Sequence, residues 1–390
     1  MRIIFEFVKK EVVLFIFLFL LAIVAILYPY EIINYPSFVD WGTIIALTGL
    51  LIITTGLKES GYFNVFSRKI LKRLKSERSL SIFFILFSVL LSTFLTNDVT
   101  LFIVIPLTVG IQNLVKNDIS KLIIFEAISV NVGSALTPIG NPQNLFLWYK
   151  WNISFVNFII EMLPLVTLLL VILLIFVWIV FPDKGIKFAE GINDDRTQNK
   201  VLFTLSIAML IVYVISLEVK QAHLVLLLVF LLYLIFYRKV LLKMDWLLLL
   251  LFIVIFFDFH VISTIPILSE GVNALNLHSA GNVFLLSVLT SQLISNVPAS
   301  VLISKFSHNW LAITYGVNVG GNGLAIASLA NVIALRMVKR KKLWLTFHRY
   351  SLLFFLITGG IAYILFLFYI NCFKPKNLGQ KSFLLPMEWI

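Results

Sequence analysis

The chain of 390 residues is 60% hydrophobic and 13% charged, with a mean hydropathy of +1.02; this excludes a soluble domain, because such domains carry about 25% charged residues. Its net charge of +12 does not require a nucleic acid partner, since cytoplasmic loops of membrane proteins are rich in Lys and Arg. The single cysteine, Cys372, excludes an intrachain disulfide, and the five histidines show no metal-ligand spacing. We therefore expect a multi-pass protein of the lipid bilayer, with no metal centre and no organic cofactor.

The first predicted element is an apolar helix over residues 12–28. Arg2, Lys9 and Lys10 precede it as in a signal peptide, but no small-residue cleavage site follows. We therefore interpret residues 1–40 as a retained N-terminal transmembrane helix. Two crossings later, residues 67–78 carry six basic side chains. The positive-inside rule places this loop and the N-terminus in the cytoplasm of a cell-membrane protein, and Lys116 and the basic residues at 339–342 are predicted to lie on the same side.

Residues 41–181 form a first predicted transport repeat. After a span at 41–57, apolar arms at 80–95 and 99–115 are joined by the polar tip Thr96-Asn97-Asp98. Each arm is at the lower limit of the length needed to span a bilayer. We therefore predict a hairpin at 80–115 that enters the membrane and returns to the same side. A helix at 119–149, broken in its middle by Gly and Pro, and a span at 156–181 complete the repeat.

The order of elements then begins again after a cytoplasmic linker and an extra helix at 182–221. A second repeat is predicted at 222–371, with a hairpin at 282–306, a broken helix at 310–335 and a last span at 352–370, and a tail at 372–390 follows. Asp40-Trp41 and Asp245-Trp246 mark equivalent helix starts. Counting the crossings makes the second repeat inverted relative to the first, as in many secondary transporters.

A repeated motif marks the middle of each repeat. The sequence VNVGSALTPIGNPQN at 130–144 recurs 187 residues later as VNVGGNGLAIASLAN at 317–331, with six of fifteen positions identical. Irregular backbone at membrane depth is tolerated only where protein or a wet cavity satisfies its polar groups. Two such breaks in corresponding positions predict a substrate site. The alternatives are surface loops, or Gly and Asn used for close helix packing.

The two hairpin tips share a second pattern, in which a hydroxyl residue stands next to an asparagine. These pairs are Thr96-Asn97 and Ser295-Asn296. The helix that returns from each tip offers free backbone N–H groups and a positive dipole end, which can bind an anion. The alternative is that these side chains only cap helices.

Two acidic residues in apolar segments are candidates for cation or proton coupling. A carboxylate at membrane depth costs about 2.5–3.5 kcal/mol on insertion scales and is usually functional. Asp98 lies at the first tip, and Asp258 lies within a predicted span. Packing against His260 or capping of a kink is the alternative explanation for Asp258.

The segments FLTNDVTLFIVIPLT and NVGSALTPIGNPQNLFLW resemble the ion transporter superfamily. This superfamily includes arsenite efflux permeases, NhaD-type sodium/proton antiporters, citrate carriers and divalent anion/sodium symporters. The resemblance implies an all-α inverted-repeat secondary transporter, in which two re-entrant hairpins and two broken helices enclose a central site. It also implies a homodimer and an elevator motion of the transport domain.

The resemblance, the tips and the breaks together predict the residues of a substrate and ion site. In the first repeat they are Thr96, Asn97, Asp98, Thr100, Asn131, Gly133, Thr137, Gly140, Asn141 and Asn144. In the second repeat they are Ser295, Asn296, Ser300, Asn318, Gly320 and Asn322.

The sequence thus predicts a secondary transporter of a small anion or oxyanion, coupled to a sodium or proton gradient. The alternative is a cation/proton antiporter that uses Asp98 and Asp258. The dicarboxylate symporters carry Ser-Asn-Thr at both tips, whereas this chain carries Thr-Asn-Asp and Ser-Asn-Val; the first of these is closer to the arsenite permease pattern. We expect no enzyme, since no HExxH or GxSxG motif occurs in a span. No P-loop is present either, so that an ATPase, if one drives transport, would be a separate partner chain.

Overall fold

The computed structural model describes residues 11–62, 74, 76–112, 120–186, 198–273, 275–338 and 343–373. These residues form α-helices and two short 3₁₀ helices, and within them the only strand-like contact is an isolated bridge between Ser76 and Gly185. Six of the described helices are long and apolar enough to cross a membrane, and one bent pair passes the same test when taken together. The prediction of an all-helical integral membrane protein is confirmed.

The described part of the first half contains eight α-helices. In chain order they are α1 (Val12–Leu27), α2 (Tyr35–Phe38), α3 (Trp41–Glu59), α4 (Glu77–Phe94), α5 (Asn97–Gln112), α6 (Ser120–Ser134), α7 (Pro142–Trp151) and α8 (Phe155–Val180). The chain bends by 116° after α1. Pro29 begins a 3₁₀ turn at this bend, because its ring removes the N–H that would continue the helix.

The described part of the second half contains ten α-helices. They are α9 (Lys200–Glu218), α10 (Ala222–Phe236), α11 (Arg238–Lys243), α12 (Trp246–Thr264), α13 (Pro266–Asn273), α14 (Ala280–Ile294), α15 (Asn296–Ile303), α16 (Trp310–Gly320), α17 (Leu329–Met337) and α18 (Leu343–Phe373). The hairpins are therefore α4–α5 and α14–α15, and the broken helices are α6–α7 and α16–α17. Each break lies where the sequence predicts it.

Equivalent side chains start the equivalent helices α3 and α12. The Asp40 carboxylate accepts a hydrogen bond from the backbone N–H of Thr43 at 3.0 Å, and the Asp245 carboxylate accepts one from Leu248 at 3.0 Å. Both satisfy a backbone donor that has no partner within the first turn. The Asp-Trp pairs noted in the sequence are thus helix caps in both halves.

Two parts of the predicted outline differ from the structure. The last helix begins at Leu343 rather than at residue 352, because hydropathy marks the apolar part of a helix whereas hydrogen bonding continues through its polar first turns. Two short helices, α11 and α13, were not predicted. Both follow a long apolar helix and are too short to show a clear period.

Most of the residues on which the predicted orientation depends lie outside the described residues. They are Lys9, Lys10, Arg68, Lys69, Lys72, Arg73, Lys75, Lys116 and the basic residues at 339–342. Residues 187–197 of the predicted linker and the tail from 374 onward also lie outside. The cytoplasmic N-terminus and the division of the chain into 41–181 and 222–371 stay predictions.

Candidate substrate and ion site

The first broken helix is interrupted over the seven residues between α6 and α7. Pro138 in this stretch and Pro142, the first residue of α7, cannot donate backbone hydrogen bonds. Asn141 restarts the helix, since its side-chain oxygen accepts a hydrogen bond from the N–H of Asn144 at 2.8 Å. The second break, after Gly320, contains no proline and passes through a 3₁₀ turn before α17 begins.

Two buried amide pairs join the breaks of the two halves. The Asn131 side-chain NH₂ donates to the Asn331 side-chain oxygen at 2.8 Å, and the Asn318 NH₂ donates to the Asn144 oxygen at 2.7 Å. Asn131 and Asn318 are 187 residues apart, as are Asn144 and Asn331. The same contact is therefore made twice, with the roles of the halves exchanged, as two repeats related by a two-fold axis would make it.

The same amides also hold their own breaks together. The Asn144 NH₂ donates to the carbonyl of Ser134 at 3.3 Å, and the Asn331 NH₂ donates to the carbonyl of Gly321 at 2.9 Å. Ser134 and Gly321 are again 187 residues apart. Each carbonyl belongs to the end of a broken helix, where no intrahelical donor remains. The side chains thus replace the backbone hydrogen bonds that the break removes.

A third duplicated contact completes what we call the asparagine network, namely Asn131, Asn141, Asn144, Asn318, Ser328 and Asn331. The Asn141 NH₂ donates to the Asn318 oxygen at 3.1 Å, and the Ser328 hydroxyl donates to the Asn131 oxygen at 3.1 Å. All six side chains are buried. Because buried amides left without partners are costly, the network fixes the two breaks against each other.

Each hairpin docks on the broken helix of its own half by an equivalent contact. The Thr93 hydroxyl donates to the carbonyl of Gly133 at 3.1 Å, and the Gln292 side-chain NH₂ donates to the carbonyl of Gly320. Thr93 and Gln292 are 199 residues apart, as are the tip residues Asn97 and Asn296. Both hairpins therefore present their tips to the breaks in the same way.

The first tip has further backbone contacts with the first break. The N–H of Asn97 donates to the carbonyl of Gly140 at 2.9 Å, and the Thr137 hydroxyl donates to the carbonyl of Thr93 at 2.5 Å. The Asn97 side-chain oxygen accepts from the N–H of Asp98 at 2.9 Å. Asn97, Thr137 and Gly140 therefore have structural contacts that explain their positions.

Three oxygens at the start of α5 have no hydrogen-bond partner among the described residues. They belong to Thr96, Asp98 and Thr100 and are buried. A carboxylate and hydroxyl oxygens are ligands that hard cations prefer. Burying such atoms without partners is unfavourable, and a bound ion would remove this cost. The three oxygens of this tip could therefore ligate a cation or accept a proton.

The second tip is conformationally strained. Ser295 has a φ of 77°, which a residue with a side chain rarely adopts and which costs about 1–3 kcal/mol. Its hydroxyl lies 3.4 Å from the Asn296 side-chain oxygen. In the break beside it, the Asn322 side-chain oxygen has no partner among the described residues. Ser300, by contrast, donates to the Val297 carbonyl of its own helix at 2.7 Å.

Asp98 lines a small cavity of about 70 Å³ between α1, α5, α12 and α17. Asp245, Arg336 and Glu11 also line it, together with apolar residues. Its volume admits about two water molecules. The charged lining connects the first tip to the start of α12 and the end of α17.

Asp258 is fully buried in α12, and both of its carboxylate oxygens lack a hydrogen-bond partner among the described residues. It shares no hydrogen bond with the asparagine network within that part of the chain. The sequence suggested His260 as its packing partner. The His260 ring instead stacks on Phe38 with ring centroids 3.7 Å apart, and its Nδ1 lies 3.1 Å from the Lys305 amine. The role of Asp258 stays a prediction.

Gly133 and Gly320 allow the hairpins to approach closely. A Cβ atom at Gly133 would lie 2.3 Å from the Ser92 hydroxyl and from the Val89 carbonyl oxygen. A Cβ atom at Gly320 would lie 2.6 Å from the Ser291 Cβ. These two glycines serve helix packing, which is the alternative that the sequence left open.

Replacing Gly133 by alanine is therefore expected to destabilise the protein by about 1–3 kcal/mol through overpacking. Thermal unfolding in detergent, followed by circular dichroism, measures the change. Gly360→Ala in α18 is the matched control, since a Cβ atom there meets nothing within 4 Å. Equal unfolding temperatures for the two variants would contradict this explanation of the contact.

Several residues of the site were not among those predicted. Asn331 had a sequence signal, because it closes the repeated window, and Thr93 and Gln292 precede the two tips by the same spacing. Asp245 was recognised only as a helix start. Its position in the cavity of Asp98 depends on tertiary packing, which no local pattern indicates.

Comparison with known proteins gives consistent results. A family profile described as citrate transporter matches residues 1–309. The inner membrane protein YbiR of Escherichia coli is 40% identical over 332 residues, which is 85% of this chain and 89% of that protein. The uncharacterized transporter MJ0456 of Methanocaldococcus jannaschii is 39% identical over 363 residues, which is 90% of this chain and 95% of that protein. A transporter named arsB of Dictyostelium discoideum is 26% identical over 122 residues, 31% of this chain and 22% of that protein.

Proposed function

Because the chain belongs to the citrate transporter family, we propose that it carries a small anion or oxyanion across the cell membrane by secondary active transport, coupled to a sodium or proton gradient. The observation that carries this proposal is the asparagine network, in which two broken helices meet through the same contacts made twice. Discontinuous helices at a repeat interface are where such transporters bind their substrates.

The anion would bind between the two hairpin tips. The helices α5 and α15 begin at Asn97 and Asn296, so the positive dipole ends of both helices lie at the tips. At the first tip the N–H groups of Asn97 and Asp98 already donate to the Gly140 carbonyl and to the Asn97 side chain, so the dipole of α5 and the side-chain amides remain for the anion. Side-chain amides around them can donate further hydrogen bonds. Helix dipole ends and side-chain amides together can bind an anion without the desolvation cost of a buried cationic side chain.

The coupling ion would bind at the first tip. Thr96, Asp98 and Thr100 supply three buried oxygens that lack partners among the described residues. Val297, 199 residues later, occupies the position of Asp98 in the second tip. Its side chain has no atom that can ligate a cation. The proposed cation or proton coupling is therefore asymmetric, with the carboxylate in the first repeat alone.

A separate group of helices offers a scaffold for an elevator motion. The α3, α9 and α10 helices pack together, and the Tyr213 hydroxyl donates to the Ile45 carbonyl at 2.7 Å. Ser206 and Tyr233 form a second buried contact between α9 and α10 at 2.6 Å. We propose that this group stays fixed, in a homodimer, while the hairpins and broken helices move.

A cation/proton antiporter is the second candidate function. One carboxylate oxygen of Asp98 and both carboxylate oxygens of Asp258 have no hydrogen-bond partner among the described residues, and this favours the antiporter. In that case both carboxylates would exchange a cation for protons, and no anion would be carried.

Flux into proteoliposomes distinguishes the two functions. The purified protein is tested with arsenite, phosphate, sulfate, succinate and citrate, each under an imposed sodium gradient, an imposed pH gradient or neither. We expect uptake of one of these anions that one gradient accelerates. Sodium/proton exchange without any anion, measured with a pH-sensitive dye, would support the antiporter, and the absence of all flux would contradict both functions.

A further inference from the structure

A carboxyl group that the sequence analysis did not single out lies between the first hairpin and the first broken helix. Glu126 is in the seventh position of α6 and is fully buried. One oxygen of its carboxyl accepts a hydrogen bond from the hydroxyl of Thr108 on α5. Thr108 is also fully buried. The other oxygen has no hydrogen-bond partner among the described residues.

The carboxyl lies in the protein interior, where the part of the chain that the structure describes supplies one hydrogen-bond donor to it. Phe125, next to it on α6, packs against Phe181 with ring centroids 5.2 Å apart and against Tyr350 with centroids 5.3 Å apart. An ionised carboxylate accepts about four hydrogen bonds when fully satisfied, whereas Glu126 has one donor in the described part of the chain. A buried charge without compensating donors is strongly unfavourable. Protonation removes this charge.

The helices packed against α6 are α4, α5, α8, α17 and α18. Their charged and titratable side chains are Glu77, Arg78, Asp98, Glu161, Arg336, His348, Arg349, Tyr350, Tyr363, Tyr369 and Cys372, and α6 itself carries Lys121. None of them makes a hydrogen bond to Glu126 in the described part of the chain. A proton is therefore the counter-charge that this position can acquire.

We propose that Glu126, with the Thr108 hydroxyl, is a proton-binding site inside the membrane that travels with the first hairpin and the first broken helix. Thr108 and Glu126 lie on α5 and α6, the same two helices that form one side of the substrate site. A proton bound there would move with the substrate. The binding of the proton does not depend on the substrate, whereas its role in coupling rests on the proposed function.

Infrared difference spectroscopy tests proton binding without any substrate. The wild-type protein in liposomes is stepped between acidic and alkaline pH, and the carbonyl band of a protonated carboxylic acid in an apolar environment is recorded. Asp98 and Asp258 are also buried carboxyls and can contribute to this band. We therefore expect one component of the band to be missing in Glu126→Gln, and all components to be kept in Glu161→Gln, a change of a glutamate in α8. An unchanged band in Glu126→Gln would overturn the proposal.

Thr108→Val provides a second variant that keeps the shape of the pair but removes its donor. Since that hydroxyl donates to the carboxyl, removing it is expected to move the Glu126 component of the carbonyl band to higher frequency. An unmoved component would also overturn the proposal. The protein must elute as a single species from gel filtration before either variant is compared.

Anion flux then tests the role in coupling. If the proposed function holds, Glu126→Gln is expected to keep transport driven by the substrate gradient and to lose its acceleration by an imposed pH gradient. Unchanged acceleration would overturn the coupling role. Absence of flux in the wild-type protein would contradict the proposed function alone, because the infrared result stands independently.

Discussion

Replacing Asn318 by alanine is expected to lower transport by more than about tenfold, which corresponds to about 1.4 kcal/mol. The Asn318 side chain accepts from Asn141 and donates to Asn144 and to the Thr314 carbonyl at 2.8 Å. Its loss leaves buried partners without hydrogen bonds, each at a cost of about 1–3 kcal/mol. Initial rates of anion uptake into proteoliposomes and the unfolding temperature in detergent measure the two effects.

The internal repeat supplies the comparison for this prediction. Asn131→Ala should have an effect of similar size, since Asn131 makes the equivalent contact with Asn331. Asn157→Ala, at an exposed position of α8, is the control and should change neither transport nor stability. A double-mutant cycle between Asn144 and Asn318 should show coupling. Additive effects of these two changes would count against the network.

Replacing Asp98 by asparagine is expected to remove the dependence of transport on the imposed cation or proton gradient. The change keeps the size of the side chain but removes the charge from a buried tip whose oxygens lack partners in the described residues. We expect the gradient-driven rate to fall more than about tenfold. This corresponds to a loss of about 1.4 kcal/mol or more in the binding free energy of the coupling ion. Uptake under sodium and pH gradients, each imposed separately, measures this.

Asp258→Asn is the matched control for Asp98→Asn. It removes a second fully buried carboxylate on α12, outside the tips and the breaks. If Asp98 alone binds the coupling ion, Asp258→Asn keeps the gradient dependence. If both variants lose the gradient dependence, the antiporter becomes the better-supported function. Unchanged gradient dependence in Asp98→Asn would refute the assignment of the coupling ion to the first tip.

The residues of the first tip bear on which anion the protein carries. The family is described as citrate transporter, whereas the tip Thr-Asn-Asp resembles the arsenite permease pattern. A carboxylate beside the binding position repels a multiply charged anion more than a neutral or singly charged oxyanion. The flux panel above compares these substrates directly.

The hairpins and breaks could be predicted because each has a local cause. A tip needs a polar residue that starts a helix, and a break needs Pro, Gly or Asn, so that Thr96-Asn97 and Pro142 indicate their structure without any knowledge of their neighbours. The resemblance to the ion transporter superfamily was likewise predictable from TPIGNPQN and is confirmed by the family match.

The partners of the site residues were not predictable in this way. Asn131 and Asn331 are 200 residues apart, and the repeat spacing shows only that each has an equivalent. The close contact of Gly133 with Val89 and Ser92, for which its missing Cβ makes room, was not predicted, and its place in the substrate site stays a prediction. Glu126 has no repeated motif around it, and its pairing with Thr108 arises only when α5 and α6 pack together.

The sequence by itself determined that this protein lies in the membrane, where its helices break and that it has two related halves. Hydropathy reports burial in the bilayer, and proline and glycine act on the local backbone, so that neither signal requires a distant partner. Only the tertiary structure decided which polar side chains satisfy one another and which keep unpartnered oxygens among the described residues. The physical reason is that a buried hydrogen bond needs both of its partners, and the second partner comes from a distant part of the chain.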